Sequence, residues 1–287
     1  MTFNRIGVLG CGLMGSGIAE VCARAGIDVV VVEATAEAVK AGRERVNGSL
    51  SRAVARGKLG EAERDEAMAR LAFSDDWDMV AGCDLVVEAI VEDPALKVAA
   101  FERLSATVTA PDAILASNTS SIPIMRLATA TNRPEHVIGL HFFNPVPMLP
   151  LVELVPSLMT SAETKDRVNR FAADALGKHV ILSKDRAGFV VNALLIPYLL
   201  SAIRMLESGF ATADDIDAGM VHGCAHPLGP LALADLIGLD TTVAVAESMY
   251  AEFKEPLYAS PPLLSRMVEA GLLGRKSGRG FYGYSAH

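Results

Sequence analysis

Short apolar runs that end in turns dominate the chain up to Lys184, and helical spacing takes over beyond it. Ile6-Gly7-Val8-Leu9 meets a glycine turn at Gly10, the pattern of a buried strand. Residues 14–25 carry apolar and small side chains at helical spacing, and Gly26 closes the run. Residues 28–33 contain four consecutive valines, Val29 to Val32, a β-branched stretch that predicts a second buried strand. Strand, turn, helix and strand in this order form the opening βαβ unit of a doubly wound sheet. The polar stretch 35–70, rich in Arg and Glu, predicts one or two exposed helices. Residues 84–90 predict a third strand, 95–108 a helix, 113–117 and 137–141 two further strands, and 151–154 a short last one. The strands at 113–117 and 137–141 end in polar residues, and ligands of open α/β sheets bind beyond the carboxyl ends of strands.

From Gly188 onward strand signals all but vanish. Residues 189–208 predict one long helix kinked at Pro197. Thr212-Ala213-Asp214-Asp215 is a helix-start signature for a helix over 212–222. Pro227, Gly229, Pro230 and Gly238 mark turns between shorter helices. The predicted fold is an α/β Rossmann-type N-terminal domain with a mainly parallel sheet, residues 1–184, followed by an all-α C-terminal domain, residues 185–287.

Composition narrows the function classes. A chain of 287 residues has room for about two domains. Its 51% hydrophobic content supports packed cores. A net charge of −8 argues against nucleic-acid binding, which needs a basic face, but leaves room for a local cationic pocket. Cys11, Cys22, Cys83 and Cys224 are scattered, with no metal-ligand or disulfide spacing, which predicts reduced thiols and a cytoplasmic setting and no bound metal. Residues 1–10 lack the charged start and cleavage site of a signal peptide, and no apolar stretch reads as a membrane span.

The chemistry lies in a few motifs. Gly10-x-Gly12-x-x-Gly15 follows a predicted strand and opens a predicted helix, the context that turns a bare pattern into a dinucleotide fingerprint. Glu33 ends the second strand, placed to hydrogen-bond a ribose diol and repel a 2′-phosphate. A structural glycine turn with a surface glutamate is the alternative. His141 stands in Gly139-Leu140-His141-Phe142-Phe143-Asn144-Pro145, with Glu153 twelve residues later: an imidazole base and a carboxylate to orient it. Ala116-Ser117-Asn118-Thr119-Ser120-Ser121 follows a strand and offers either turn caps or groups for a substrate carbonyl. Asn192 is a polar residue in an apolar helical run and needs a hydrogen-bond partner if buried. Arg52 and Arg56 share a helical face near Lys58, either as a solvated face or as a cradle for the phosphates of an anionic ligand.

Taken together, these segments resemble the 3-hydroxyacyl-CoA dehydrogenases, especially the short bacterial 3-hydroxybutyryl-CoA dehydrogenases. The resemblance is carried by residues 10–19, Val87-Glu88-Ala89-Ile90-Val91-Glu92-Asp93, residues 116–121 and 139–145, Gly188-Phe189-Val190-Val191-Asn192, His226-Pro227-Leu228-Gly229-Pro230 and residues 274–282. It implies NAD-linked, reversible oxidation of a 3-hydroxyacyl-CoA to the 3-oxoacyl-CoA. His141 would then be the general base, Glu153 its partner, and Ser120 and Asn192 the groups that hold the substrate oxygen. The cofactor side would include Gly10, Gly12, Leu13, Met14, Gly15, Glu33, Ala89, Glu92, Lys97, Asn118, Ser120, Asn144 and Lys276. Ser49, Arg52 and Arg56 would face the CoA nucleotide, and the helical domain would form a homodimer. The better-known members carry Asp at the position of Glu33, Lys at that of Pro150 and Arg at that of Ala193.

Other readings differ at identifiable residues. An NADP-preferring acetoacetyl-CoA reductase would use the same site, with Arg43 or Lys40 neutralising the extra phosphate. The β-hydroxyacid dehydrogenases share the glycine fingerprint but use a lysine four residues after an asparagine; here Ile196 stands four after Asn192. A non-enzymatic nucleotide-binding protein on the same fold would have no need of His141, Glu153, Ser120 and Asn192 together.

Overall fold

A computed structural model describes residues 3–284; Met1 and Thr2 of the apolar start lie outside the described residues. The chain divides into two compact units, residues 1–185 and 186–287.

The first unit is built on β1 (Arg5–Leu9), β2 (Asp28–Val32), β3 (Leu71–Ser74), β4 (Leu85–Glu88), β5 (Ile114–Ser117), β6 (Val137–Phe142), β7 (Leu151–Pro156) and β8 (His179–Leu182). They form one eight-stranded sheet in the order β3-β2-β1-β4-β5-β6-β7-β8. Pairings from β3 through β6 are parallel, β7 runs antiparallel to β6, and β8 runs parallel to β7. The inner strands are the apolar runs of the sequence, since strands covered on both faces need no polar alternation. The strands β3 and β8 were not anticipated from the sequence. Both are four-residue edge strands and partly exposed, and their apolar runs, Leu71-Ala72-Phe73 and Val180-Ile181-Leu182, are too short for periodicity to assign.

Helices flank the sheet: α1 (Leu13–Arg24), α2 (Ala36–Ala55), α3 (Glu61–Ala69), α4 (Pro94–Thr107), α5 (Ile124–Ala128) and α6 (Ala162–Arg170). The polar stretch after β2 resolves into α2 and α3. Thr35 starts α2 by accepting the Ala38 amide at 3.2 Å, and only Gly42, Val46 and Leu50 of this helix are buried, one stripe at a spacing of four. Asp93 caps α4 on the amides of Ala95 and Leu96, with Pro94 at the first helical position.

The second unit is helical: α7 (Val191–Glu207), α8 (Ala213–Cys224), α9 (Pro230–Ile237), α10 (Leu239–Phe253) and α11 (Pro262–Glu269), around a core that includes Leu199, Leu200, Ile203, Leu231 and Met249. Helix α7 starts two residues later than the apolar pattern predicts. Gly188 and Phe189 have φ of 83° and 46°, and this left-handed pair breaks the helical path. Asn192 therefore lies in the first turn of α7, partly exposed, rather than within a buried helix. Among the described residues no helix is long and apolar enough to cross a membrane.

Candidate active site

The glycine fingerprint sits where β1 hands over to α1. Gly10 has φ of 88°, and a Cβ there would stand 2.8 Å from the Ala89 carbonyl oxygen. At Gly15 a Cβ would collide with the Gly10 carbonyl, so glycine lets helix and strand close up. Gly12 is different: nothing lies within 4 Å of its Cβ position. The turn therefore exposes bare backbone, and the first turn of α1, starting at Leu13 and Met14, presents amide N–H groups. A cleft of about 590 Å³ opens there, lined by Gly10, Gly12, Glu33, Ala89, Trp77 and Arg103 among others. Its size and bare-backbone floor fit a dinucleotide such as NAD.

Glu33 accepts the Cys11 amide with one carboxylate oxygen, and the Ala34 amide lies 3.3 Å from the other. The cation beside this turn is Arg45, whose Nη1 donates to the Cys11 carbonyl at 2.5 Å; Arg43 instead stacks over Phe73. Burial, and then the charge of Glu33, pushes the Cys11 thiol up to about 12, so it is no thiolate nucleophile. Trp77 and Arg103 were missed in the sequence reading. The guanidinium of Arg103 lies 4.1 Å from the centre of the Trp77 ring, making a flat wall on the cleft.

Beyond the carboxyl ends of β4 and β5 lies a dense polar network. Lys97 is 1% exposed and its ammonium sits 2.5 Å from Glu88 and 3.3 Å from Glu92. Ser117 donates to the other Glu88 oxygen at 2.6 Å. Glu92 accepts from the Thr119 hydroxyl, from the amides of Ser120 at 3.0 Å and Ser121 at 3.2 Å, and from the Ser121 hydroxyl at 2.9 Å. Burial alone would push the Glu92 carboxyl up, but the Lys97 charge and these donors outweigh it and hold it below the usual carboxylate range. Lys97 thus reaches the Ser120 loop through Glu92, not with its own ammonium.

His141 and Glu153 are directly opposed across the antiparallel β6–β7 pair. His141 Nδ1 lies 2.7 Å from Glu153 Oε2, with the two residues 4% and 0% exposed. A carboxylate only accepts, so Nδ1 carries a proton, and in the neutral imidazole Nε2 then keeps its lone pair. Ser120 Oγ stands 3.0 Å from Nε2 and is then the donor. Asn118 fixes the strand end by accepting the Phe142 amide at 2.9 Å, while Asn144 is exposed just beyond it. Lys178, also absent from the sequence reading, clamps the β6–β7 connection: its ammonium donates to the carbonyls of Val146 at 2.6 Å and Leu149 at 2.7 Å. Burial, with the nearby Arg24 charge, draws the Lys178 ammonium below the ordinary lysine range.

A second cleft of about 520 Å³ adjoins this connection. Ser49, Arg52, Arg56, Lys58, Pro145 and Met148 line it, so the two arginines do share a pocket with the serine. Asn192 and Lys276 belong to the second unit. There, Lys276 Nζ is 2.6 Å from Asp240, and the segment carrying it is docked by buried Asp235, which accepts the amides of Phe281 and Tyr282 at 3.0 Å each.

The chain also matches known proteins over nearly its full length. Residues 5–186 match the NAD binding domain of 3-hydroxyacyl-CoA dehydrogenase, and residues 188–284 match its C-terminal domain. A 3-hydroxybutyryl-CoA dehydrogenase of Mycobacterium tuberculosis is 59% identical over 281 residues, 98% of either chain. The crystal structure of FadB2 from Mycobacterium tuberculosis superposes with a TM-score of 0.98 at 57% identity, covering 99% of this chain and 100% of that one. An (S)-3-hydroxybutyryl-CoA dehydrogenase structure from Ralstonia eutropha gives 0.93 at 45% identity, over 99% and 100%. With both domains matched in order and the relatives aligned over nearly their full length, the chain belongs to the 3-hydroxyacyl-CoA dehydrogenase family.

Proposed function

We propose that this protein oxidises short-chain 3-hydroxyacyl-CoA, with 3-hydroxybutyryl-CoA as substrate, reversibly to the 3-oxoacyl-CoA. The observation that carries this reading is the chain of contacts from Glu153 through His141 to Ser120, in the same unit as the dinucleotide cleft. NAD bound in that cleft would supply the hydride acceptor. The Nε2 lone pair of His141 takes the proton of the substrate hydroxyl, and the Ser120 hydroxyl holds the same oxygen as charge shifts on it. Glu153 keeps the tautomer in which Nε2 is the base, and stabilises the imidazolium once the proton has moved. In the reverse direction the imidazolium returns the proton to the carbonyl oxygen. Arg52 and Arg56 hold phosphates of the CoA nucleotide, with Ser49 beside them. The helical unit supports a homodimer, and the reduced-thiol composition suits a cytoplasmic enzyme.

The test is a steady-state comparison of acetoacetyl-CoA with longer 3-oxoacyl-CoAs, each with NADH and NADPH. The highest kcat/KM is expected for acetoacetyl-CoA with NADH. Failure to turn over any 3-oxoacyl-CoA would overturn the reading, whereas a preference for longer chains would correct only the substrate length.

A further inference from the structure

Glu20 on α1 is a charge in the wrong company. Its neighbours along the helix, Ile18, Ala19, Cys22 and Ala23, are buried and apolar, and Glu20 itself is 1% exposed. One carboxylate oxygen lies 3.5 Å from Arg24. The other, Oε2, is buried and has no hydrogen-bond partner among the described residues. Burying a carboxylate with a single long ion pair is costly, and nothing in the packing of α1 requires it. The residue nevertheless lines the basic cleft together with Arg24, Ser49, Arg52 and Arg56. In a pocket suited to phosphates a carboxylate would repel the ligand, unless it faces a part of that ligand that donates a proton.

We propose that Glu20 is a specificity-determining acceptor for an N–H or O–H donor of the acyl carrier. The inference rests on the carrier assignment of this cleft made above. Arg24, with 34% of its side chain exposed, is the movable partner. Phosphates in the cleft compete for its guanidinium, and the carboxylate it releases takes up the carrier's donor. Coenzyme A offers such donors at three places beyond the first amide next to the thioester: the hydroxyl and second amide of the pantetheine arm, the 2′-hydroxyl of the ribose, and the amino group of adenine. Glu20 thereby reads a neutral, donor-bearing feature that arginines cannot recognise.

The experiment compares wild type with Glu20→Gln and Glu20→Met on three substrates: acetoacetyl-CoA, acetoacetyl-pantetheine and the acetoacetyl N-acetylcysteamine thioester, which keeps only the first amide. Loss of a hydrogen bond to a charged group should raise KM for acetoacetyl-CoA about 10-fold or more in E20M. Gln keeps an acceptor oxygen, so E20Q should lose only a few-fold, about 2–4. The truncated thioester should respond within about 2-fold, well inside the range of one ordinary hydrogen bond. If acetoacetyl-pantetheine behaves like the CoA substrate, the donor is in the pantetheine arm; if it behaves like the truncated one, the donor is in the nucleoside, the ribose 2′-hydroxyl or the adenine amino group. E20M should also raise Tm, because an incompletely satisfied buried charge has gone. Equal damage by Gln and Met would mean that only the ion pair with Arg24 matters, and would overturn the proposal. So would equal damage on all three substrates, or no change on any. A wild-type enzyme that gains nothing from CoA over the truncated thioester would instead overturn the carrier assignment, and this inference with it.

Discussion

His141 and Glu153 are opposed residues of the β6–β7 pair, so the 2.7 Å contact between them is set by strand register. A slip of one residue would turn Glu153 to the other face of the sheet. The carboxylate is therefore as fixed as the sheet itself, and it holds the imidazole in one orientation.

Replacing His141 with Ala should lower kcat by about 10²–10⁴-fold, the usual worth of a positioned acid–base group, with NADH affinity nearly unchanged. Glu153→Gln keeps the shape but can donate to Nδ1 and favour the wrong tautomer, so a loss of about 10²-fold or more in kcat is expected. Single-turnover and NADH-titration measurements separate the two effects. Turnover within a few-fold of wild type in His141→Ala would make the histidine a structural residue.

Glu33 is expected to set the choice between NADH and NADPH. Its carboxylate, seated against the Cys11 amide, should favour NADH over NADPH by repelling a 2′-phosphate. Glu33→Gln should narrow the ratio of kcat/KM between the two cofactors by about 10-fold or more, on the scale of a lost charge interaction. Equal efficiency of wild type with NADPH would refute the assignment and direct attention to Arg45, the cation on the Cys11 carbonyl.

The double reversal Arg52→Glu and Arg56→Glu should raise KM for acetoacetyl-CoA sharply and leave KM for NADH nearly unchanged. The truncated thioester should be far less affected. Exposed charges are screened, so the wild-type KM for the CoA substrate should also climb with salt. Uniform loss across substrates would place the arginines in folding instead.

Acid should act through Glu92. Its carboxyl is held below the usual range in the folded protein, so the stabilisation it contributes is complete above the unfolded value, about 4.3, and fades as pH falls through the folded one. Thermal melts of wild type and Glu92→Gln should differ at pH 7 and converge as pH is lowered below about 4. A gap that stayed constant across that window would show that Glu92 adds no pH-linked stability.

Much of this was visible in the sequence, and the reasons differ by element. Strands β1, β2 and β4 announce themselves because strands buried on both faces must be apolar throughout. The glycine turn is legible because backbone shape demands residues without Cβ at Gly10 and Gly15. The edge strands β3 and β8 carry apolar runs of only three residues, too short for periodicity to assign. Trp77, Arg103, Arg24 and Lys178 belong to the clefts and clamps through partners far along the chain, and no local periodicity encodes those meetings. The start of α7 was misplaced because the left-handed backbone at Phe189, unlike that at Gly188, has no residue-type signature.

The Lys178 clamp has a consequence for how the protein would fail. Lys178 immediately precedes β8, the strand at the sheet margin, where fraying is normally cheap and harmless. Here that margin grips the turn joining the strands of His141 and Glu153 through two carbonyls. Peeling of β8 would loosen the hairpin that carries His141 and Glu153 long before the body of the sheet melts. Inactivation on mild heating should therefore run ahead of global unfolding, with amide exchange at 179–182 quickening in step with lost turnover.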